Sequence, residues 1–387
     1  FFLLNRRFFP KSRIFNPQNQ RNPLFFMFTP PSSLSKKAFT KGLLEWNREQ
    51  NTREMPWKGE KDPYRIWISE IILQQTRVDQ GLAYYNNFIR TFPTIQQLAK
   101  APDEKVFKCW EGLGYYSRCR NLLATARFVV KEKKGVFPDQ YEEILQLKGI
   151  GPYTAAAIGS FAFQLPYAVV DGNVFRVLSR YFGIDLATDT TEGKKIFSSL
   201  AQELLDTKQP GLYNQAIMDF GAVICKPAAP LCNACMLRKK CVALQQKQVE
   251  TLPVKQKKTK IRERWLNYFV LIYKEEIAIQ QRIAKDIWQD LFEFPQIETT
   301  KAVSKEKLLK SAPLKKWMGD AVTLKASAPV TGRQLLSHQL IHGQFIILYP
   351  DRKPDPGSGW QWVKKNKLGA YSFPGLINQY LDTDFRK

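Results

Sequence analysis

Histidine and cysteine are scarce: 2 and 6 residues, respectively, in a chain of 387. His338 and His342 are the only histidines, and they make no metal site between them; a lone histidine is more often structural than functional. Residues 1–35 hold no Asp or Glu at all. No apolar run reaches the ~18 residues that a membrane-spanning helix needs. No internal repeat is visible. What is abundant is positive charge. Lys and Arg outnumber Asp and Glu by 59 to 35, for a net charge of +24. That excess points to a polyanionic partner, with nucleic acid favoured over a membrane surface.

The length suits two domains with a sizeable core. Residues 1–35 mix Arg, Lys, Phe, Asn and Pro without helical period. They read as a disordered basic leader or as a translated upstream stretch with Met27 as the true start. A transit peptide is also basic and acid-poor, whereas the apolar core of a secretory signal is missing. Residues 36–244 read as all-helical. Asp62-Pro63 is a cap followed by proline at the first helical position. A helix is expected from Tyr64 to about Phe92, with Ile68, Ile71, Ile72, Val78, Leu82, Tyr85 and Ile89 on its apolar face. Further helices are expected over 142–147, 154–161, 173–181 and 214–223. Residues 245–261 form a lysine-rich linker with Lys255, Lys257, Lys258 and Lys260. Beyond it, 268–273 and 344–349 read as strands and 305–310 as a helix, so 262–385 is an α+β domain.

Four of the six cysteines, Cys225, Cys232, Cys235 and Cys241, fall in a C-x6-C-x2-C-x5-C run beside Lys226, Arg238, Lys239 and Lys240. Four thiolates suit a cubane iron–sulfur cluster or tetrahedral zinc. Zinc ribbons usually pair two short C-x2-C knuckles, so one knuckle with two wider gaps favours iron–sulfur; two disulfides are the plain alternative. The run implies a reducing compartment. Cys109 and Cys119 read as buried thiols.

Leu147-Lys148-Gly149-Ile150-Gly151 lies between two short helices. Gly149 and Gly151 permit a tight turn and aim backbone N–H groups at an anion, with Lys148 alongside. Ala155, Ala156 and Ala157 let the second helix pack closely. This is the requirement for a helix-hairpin-helix, over 142–161, that grips a DNA phosphate without reading sequence. Two carboxylates stand in contrasting environments that suit them to different acid–base roles. Glu70 sits mid-helix among Trp67, Ile71, Ile72 and Leu73, where desolvation should raise its pKa. Asp171 precedes a helix start, whose positive end favours ionisation. A solvated helix position and a simple N-cap are the bland readings of these two.

The hairpin, the downstream aspartate and the cysteine run together resemble the helix-hairpin-helix DNA glycosylases over about residues 40–245. Within that span, Trp67-Ile68-Ser69-Glu70-Ile71-Ile72-Leu73-Gln74-Gln75-Thr76 and Gly112-Leu113-Gly114-Tyr115-Tyr116-Ser117-Arg118 resemble the MutY-type adenine DNA glycosylases. The resemblance implies excision of adenine opposite 8-oxoguanine, or opposite guanine, in double-stranded DNA. It implies one 4Fe-4S cluster on the four cysteines and no nucleotide cofactor. Glu70 is then the general acid and the activator of water. Asp171 stabilises the oxocarbenium ion, directly or through a covalent intermediate. Tyr153 stands where glycosylase/lyases of the endonuclease III type carry a Schiff-base lysine, which implies a monofunctional enzyme. Tyr153 lines the adenine pocket, and Asn173 helps position Asp171. Gln75 and Tyr115 are implied to hold the opened duplex. Leu73, Thr76, Trp57 and Lys58 are implied at the DNA site, although the family often has Arg at the last of these.

Trp288-Gln289-Asp290-Leu291-Phe292-Glu293-Phe294-Pro295 resembles a stretch of the family's Nudix-like C-terminal domain, with Asp290 and Phe292 departing from it. The Nudix hydrolase box is absent, so no phosphohydrolase is expected. Leu336-Ser337-His338 resembles the family's 8-oxoguanine-contacting Phe-Ser-His loop, with Leu336 departing. The expected enzyme is a monomer in the bacterial nucleoid, or in a nucleus or mitochondrion. A bifunctional lyase acting on oxidised pyrimidines and a DNA-binding iron–sulfur redox protein are the competing readings.

Overall fold

A computed structural model describes residues 32–76, 78–256, 261–354 and 359–384. The leader call therefore falls almost wholly outside the described residues, as do Lys257, Lys258 and Lys260 of the linker. The described part begins with a helix at Ser33–Glu49, capped by the Ser32 hydroxyl accepting from the Ser35 N–H. Helices then follow one another to Val242–Gln245. Among the described residues, no helix is long and apolar enough to cross a membrane.

The long helix expected over 64–92 is two helices, Pro63–Leu73 and Val78–Thr91. Between them Gln75 adopts a left-handed backbone, φ 58°. The apolar period runs through the break because both helices bury one side in a shared core. Pro63–Leu73 begins as expected, with the Asp62 carboxylate accepting from the Tyr64 N–H at 2.9 Å. Its Trp67, Ile68 and Ile72 are fully or almost fully buried, as are Ala155, Ala156 and Ala157 of the facing helix Pro152–Phe163. Those small side chains bring the two backbones close, and this places Glu70 against Tyr153.

The hairpin consists of Tyr141–Gln146, the Leu147–Gly151 turn and Pro152–Phe163. Gly149 has φ +83°, and a Cβ there would meet Asn121 at 2.7 Å, so both backbone and space require glycine. The Thr125 hydroxyl donates to the Lys148 carbonyl at 2.9 Å and pins the turn.

The C-terminal part is an eight-stranded mixed sheet. Its strands are β1 (Arg262–Tyr273), β2 (Glu276–Gln281), β3 (Phe292–Glu293), β4 (Gln296–Thr299), β5 (Thr323–Ala326), β6 (Val330–Leu335), β7 (Gln339–Pro350) and β8 (Trp360–Lys364). β1 and β7 are parallel, from Arg262 beside Gln339 to Leu271 beside Leu348, and the other pairings are antiparallel. Both strands are longer than the apolar hexamers that announce them in the sequence. Buried charges tie strand ends together: Arg282 bonds Glu293 and Asp286, and Arg264 bonds Glu298 and Asp286.

The two parts meet along the segment that ends in the glycine–tyrosine loop. Glu111 accepts from the Phe373 N–H and from the Asn378 amide, each at 2.9 Å. Arg120 donates to the Gln289 carbonyl at 2.8 Å. The Tyr115 and Ser337 hydroxyls touch across the same seam.

Candidate active site

A cleft of about 350 Å³ opens between the ends of Pro63–Leu73, Pro152–Phe163 and Gly172–Phe182. Trp57, Glu70, Leu73, Gln75, Thr76, Tyr153, Asp171 and Asn173 all line it. Eight separate sequence expectations thus converge on one place. Glu70 is 7% exposed, and its pKa is pushed up to about 7. Burial is the main cause, the nearby Asp171 charge adds to it, and a hydrogen bond with Tyr153 opposes it. At neutral pH a substantial fraction of Glu70 therefore carries a proton. Burial and the two carboxylates hold the Tyr153 phenol well above its usual range, so it is a donor, not an anion.

Asp171 is the N-cap of Gly172–Phe182. Its carboxylate accepts from the Val174 N–H at 2.8 Å and from the Asn173 amide at 2.7 Å. These bonds favour the ionised form as expected from the helix end. Burial outweighs them, however, and the net shift is upward from 3.8. The sequence reveals the cap but not the depth at which it sits.

Asn173 is itself held. Arg176, one turn on, donates to the Asn173 amide oxygen and to the Gly221 carbonyl, each at 2.8 Å, and to the Cys225 carbonyl at 2.7 Å. Arg180, a further turn on, donates to the Lys226 carbonyl at 2.7 Å and lies 3.6 Å from the Cys225 sulfur. One helix therefore runs from the Asp171 carboxylate to the cysteine loop with a ladder of arginine bonds. Pro210–Val223 can lie against it because Gly221 has no Cβ; one there would meet Asn173 at 2.6 Å.

The four cysteines line a single apolar cavity with Arg180, Ile224, Pro230, Leu231, Leu244 and Val249. None of the six cysteines is joined in a disulfide. Cys119 is buried and Cys109 half-buried. Burial raises the thiol pKa values of Cys225, Cys235 and Cys241. The thiols are not bare: Arg180 lies against the Cys225 sulfur, and the Cys241 thiol donates to the Arg180 carbonyl at 3.5 Å. Among the described residues no group of three or more His, Cys, Asp or Glu is arranged to hold a metal ion.

The other expected residues lie elsewhere. Lys58 turns away from the cleft and pairs with the fully buried Asp219 at 3.1 Å, donating also to the Arg53 carbonyl at 2.7 Å. Tyr115, Ser337 and His338 line a second cleft, of about 410 Å³, at the seam between the two parts. Tyr115 is 39% exposed and has a left-handed backbone, φ 48°. Gln339 links the buried Arg264 to the His338 ring, with 3.2 Å on either side. Lys148, Gly149 and Gly151 are exposed on the hairpin, outside both clefts. Arg53, Met55, Gln74, Val78, Gln215 and Met218 also line the Glu70 cleft without having been expected there, and Arg118, Arg176, Arg180 and Asp219 tie the surrounding segments together. Gln74 and Arg118 lie in the two stretches that carry the resemblance and Val78 in the apolar period, whereas the others leave no local pattern.

A hairpin beside a carboxylate pair and a cysteine loop defines a class, the helix-hairpin-helix glycosylases. Residues 68–203 match the model for the HhH-GPD superfamily of base excision DNA repair proteins, and residues 267–383 match a NUDIX domain. A protein of Buchnera aphidicola (subsp. Acyrthosiphon pisum) named adenine DNA glycosylase is 36% identical over 267 residues, which is 68% of this chain and 76% of that protein. A human protein of the same name is 42% identical over 224 residues, covering 56% of this chain and 41% of its own length. A solved thermostable thymine-DNA glycosylase superposes with a TM-score of 0.51 at 30% identity, over 55% of this chain and 98% of that one. The chain belongs to the adenine DNA glycosylase family.

Proposed function

We propose that this chain is a monofunctional base excision repair enzyme. It extrudes adenine opposite 8-oxoguanine, and opposite guanine, from duplex DNA and hydrolyses its N-glycosidic bond. The observation that carries the reading is the cleft itself: a protonatable Glu70 and a capped Asp171 with the Tyr153 phenol between them. The protonated Glu70 gives its proton to a ring nitrogen of the base as the bond to the sugar breaks, and the bonding pair leaves with the base. Positive charge develops on the sugar beside Asp171, which Asn173 orients. Water adds to the sugar carbon and loses its proton to the Glu70 carboxylate, which restores the acid.

No lysine is among the described residues lining this cleft, so it offers no amine for a Schiff base. This favours hydrolysis over a lyase step. Gln75 and Tyr115 enter the duplex on either side of the extruded base. The exposed hairpin glycines and Lys148 hold phosphate, and Ser337 and His338 face the opposite base. Cys225, Cys232, Cys235 and Cys241 would hold one 4Fe-4S cluster. When bound, it supplies structural support to the basic loop of Lys226, Arg238, Lys239 and Lys240 and no step of the chemistry. The direct test is Glu70→Gln, which should keep affinity for the mispaired duplex and lose excision. Retained single-turnover excision in that variant would sink the assignment.

A further inference from the structure

Gln75 and Tyr115 are non-glycine residues in left-handed backbone, on two loops far apart in sequence. Strain of this kind persists only where the surroundings over-determine it. Arg118 supplies the determination for both. Its Nη1 donates to the carbonyls of Ile71 at 2.7 Å, Ile72 at 3.1 Å and Gln74 at 2.6 Å. Its Nη2 donates to the carbonyls of Leu113 at 3.4 Å and Gly114 at 3.3 Å. The Gln74 carbonyl belongs to the peptide group that leads into Gln75, and the Gly114 carbonyl to the one that leads into Tyr115. One planar fork thus fixes the peptide plane in front of each strained residue. The guanidinium also lies 5.4 Å from the centres of the Trp110 and Tyr115 rings. Every hydrogen-bond partner it has here is a carbonyl.

We propose that Arg118 is a positioning residue that sets Gln75 and Tyr115 as a single preformed pair of wedges, so that opening the duplex requires no ordering of either loop. The proposal rests on the reading that these two side chains enter DNA. Lysine cannot replace it, because one ammonium has no rigid fork with which to span two loops.

The test uses Arg118→Met and Arg118→Lys in the full chain with two substrates: a paired duplex with adenine opposite 8-oxoguanine, and the same strand with that adenine in a short unpaired bubble. Losing the charge-assisted bonds should slow single-turnover excision from the duplex about 30-fold in both variants. Excision from the bubble, where no wedge is needed, should change less than about threefold. With 2-aminopurine in place of the target adenine, the fluorescence rise on binding the duplex should be lost in both variants. Equal losses on both substrates would reduce Arg118 to a structural cap and overturn the proposal, as would an unchanged rate on the duplex. Should the wild-type chain excise adenine from neither substrate, the glycosylase reading fails. The fluorescence comparison, which needs no chemistry, then decides the role of Arg118 alone.

Discussion

Replacing Glu70 by Gln should make the protein more stable, and by an amount that depends on pH. Burial raises the Glu70 carboxyl from 4.5 to about 7, so the native state holds this proton more tightly than the unfolded chain does. Between those two values the native state binds more protons than the unfolded state, and stability falls as pH rises. Each pH unit in that window costs about 1.4 kcal/mol, so the ionised carboxylate destabilises the fold by about 3 kcal/mol above pH 7 relative to acid. Glutamine has nearly the same shape, still reaches Tyr153 and carries no charge. Its advantage should be small near pH 5, grow through pH 6 and level off above about pH 7. Thermal or urea unfolding of both proteins across that range measures the difference. An advantage that stays constant with pH would mean that Glu70 ionises as an ordinary surface carboxylate, and the argument for a stored catalytic proton would fall.

Asp219→Ala should destabilise the fold by about 3 kcal/mol, because it strips the carboxylate that Arg53 and Lys58 share in a buried network that also holds Asn51 and Gln215; thermal unfolding reads it. Arg176→Gln should lower the single-turnover rate about tenfold with little change in DNA affinity, since it frees the Asn173 that orients Asp171. Cys235→Ser should abolish soluble expression, and treatment of the purified protein with a chelator should abolish DNA binding, before either alters the rate of any remaining bound fraction. Rate and affinity measured on the same preparation separate the two.

The fold and much of the site can be read from local signals. Asp62-Pro63 marks a helix start, Gly149 a turn that only glycine fits, and Asp171-Gly172-Asn173 a cap, while the cysteine spacing brings four thiols to one cavity. Each works because the constraint acts within a few residues of itself. The misreadings share the opposite property. A continuous helix was expected across Gln75 because apolar period reports burial, not continuity, and both pieces share one core. Asp171 was expected to be more acidic than usual because the cap is local while the burial that overrides it comes from packed neighbours. Lys58 reads as a DNA contact, yet its partner Asp219 is 161 positions away in the chain. Arg118 and Arg176 act on carbonyls of distant segments, for which a sequence carries no pattern.

The central claim is tested most directly on end-labelled duplexes containing adenine opposite 8-oxoguanine, adenine opposite guanine, or thymine glycol, with products resolved before and after alkali. Breaks that appear only after alkali, and only in the adenine-containing strands, are the predicted result. Breaks without alkali, or cleavage confined to the thymine glycol duplex, would contradict it.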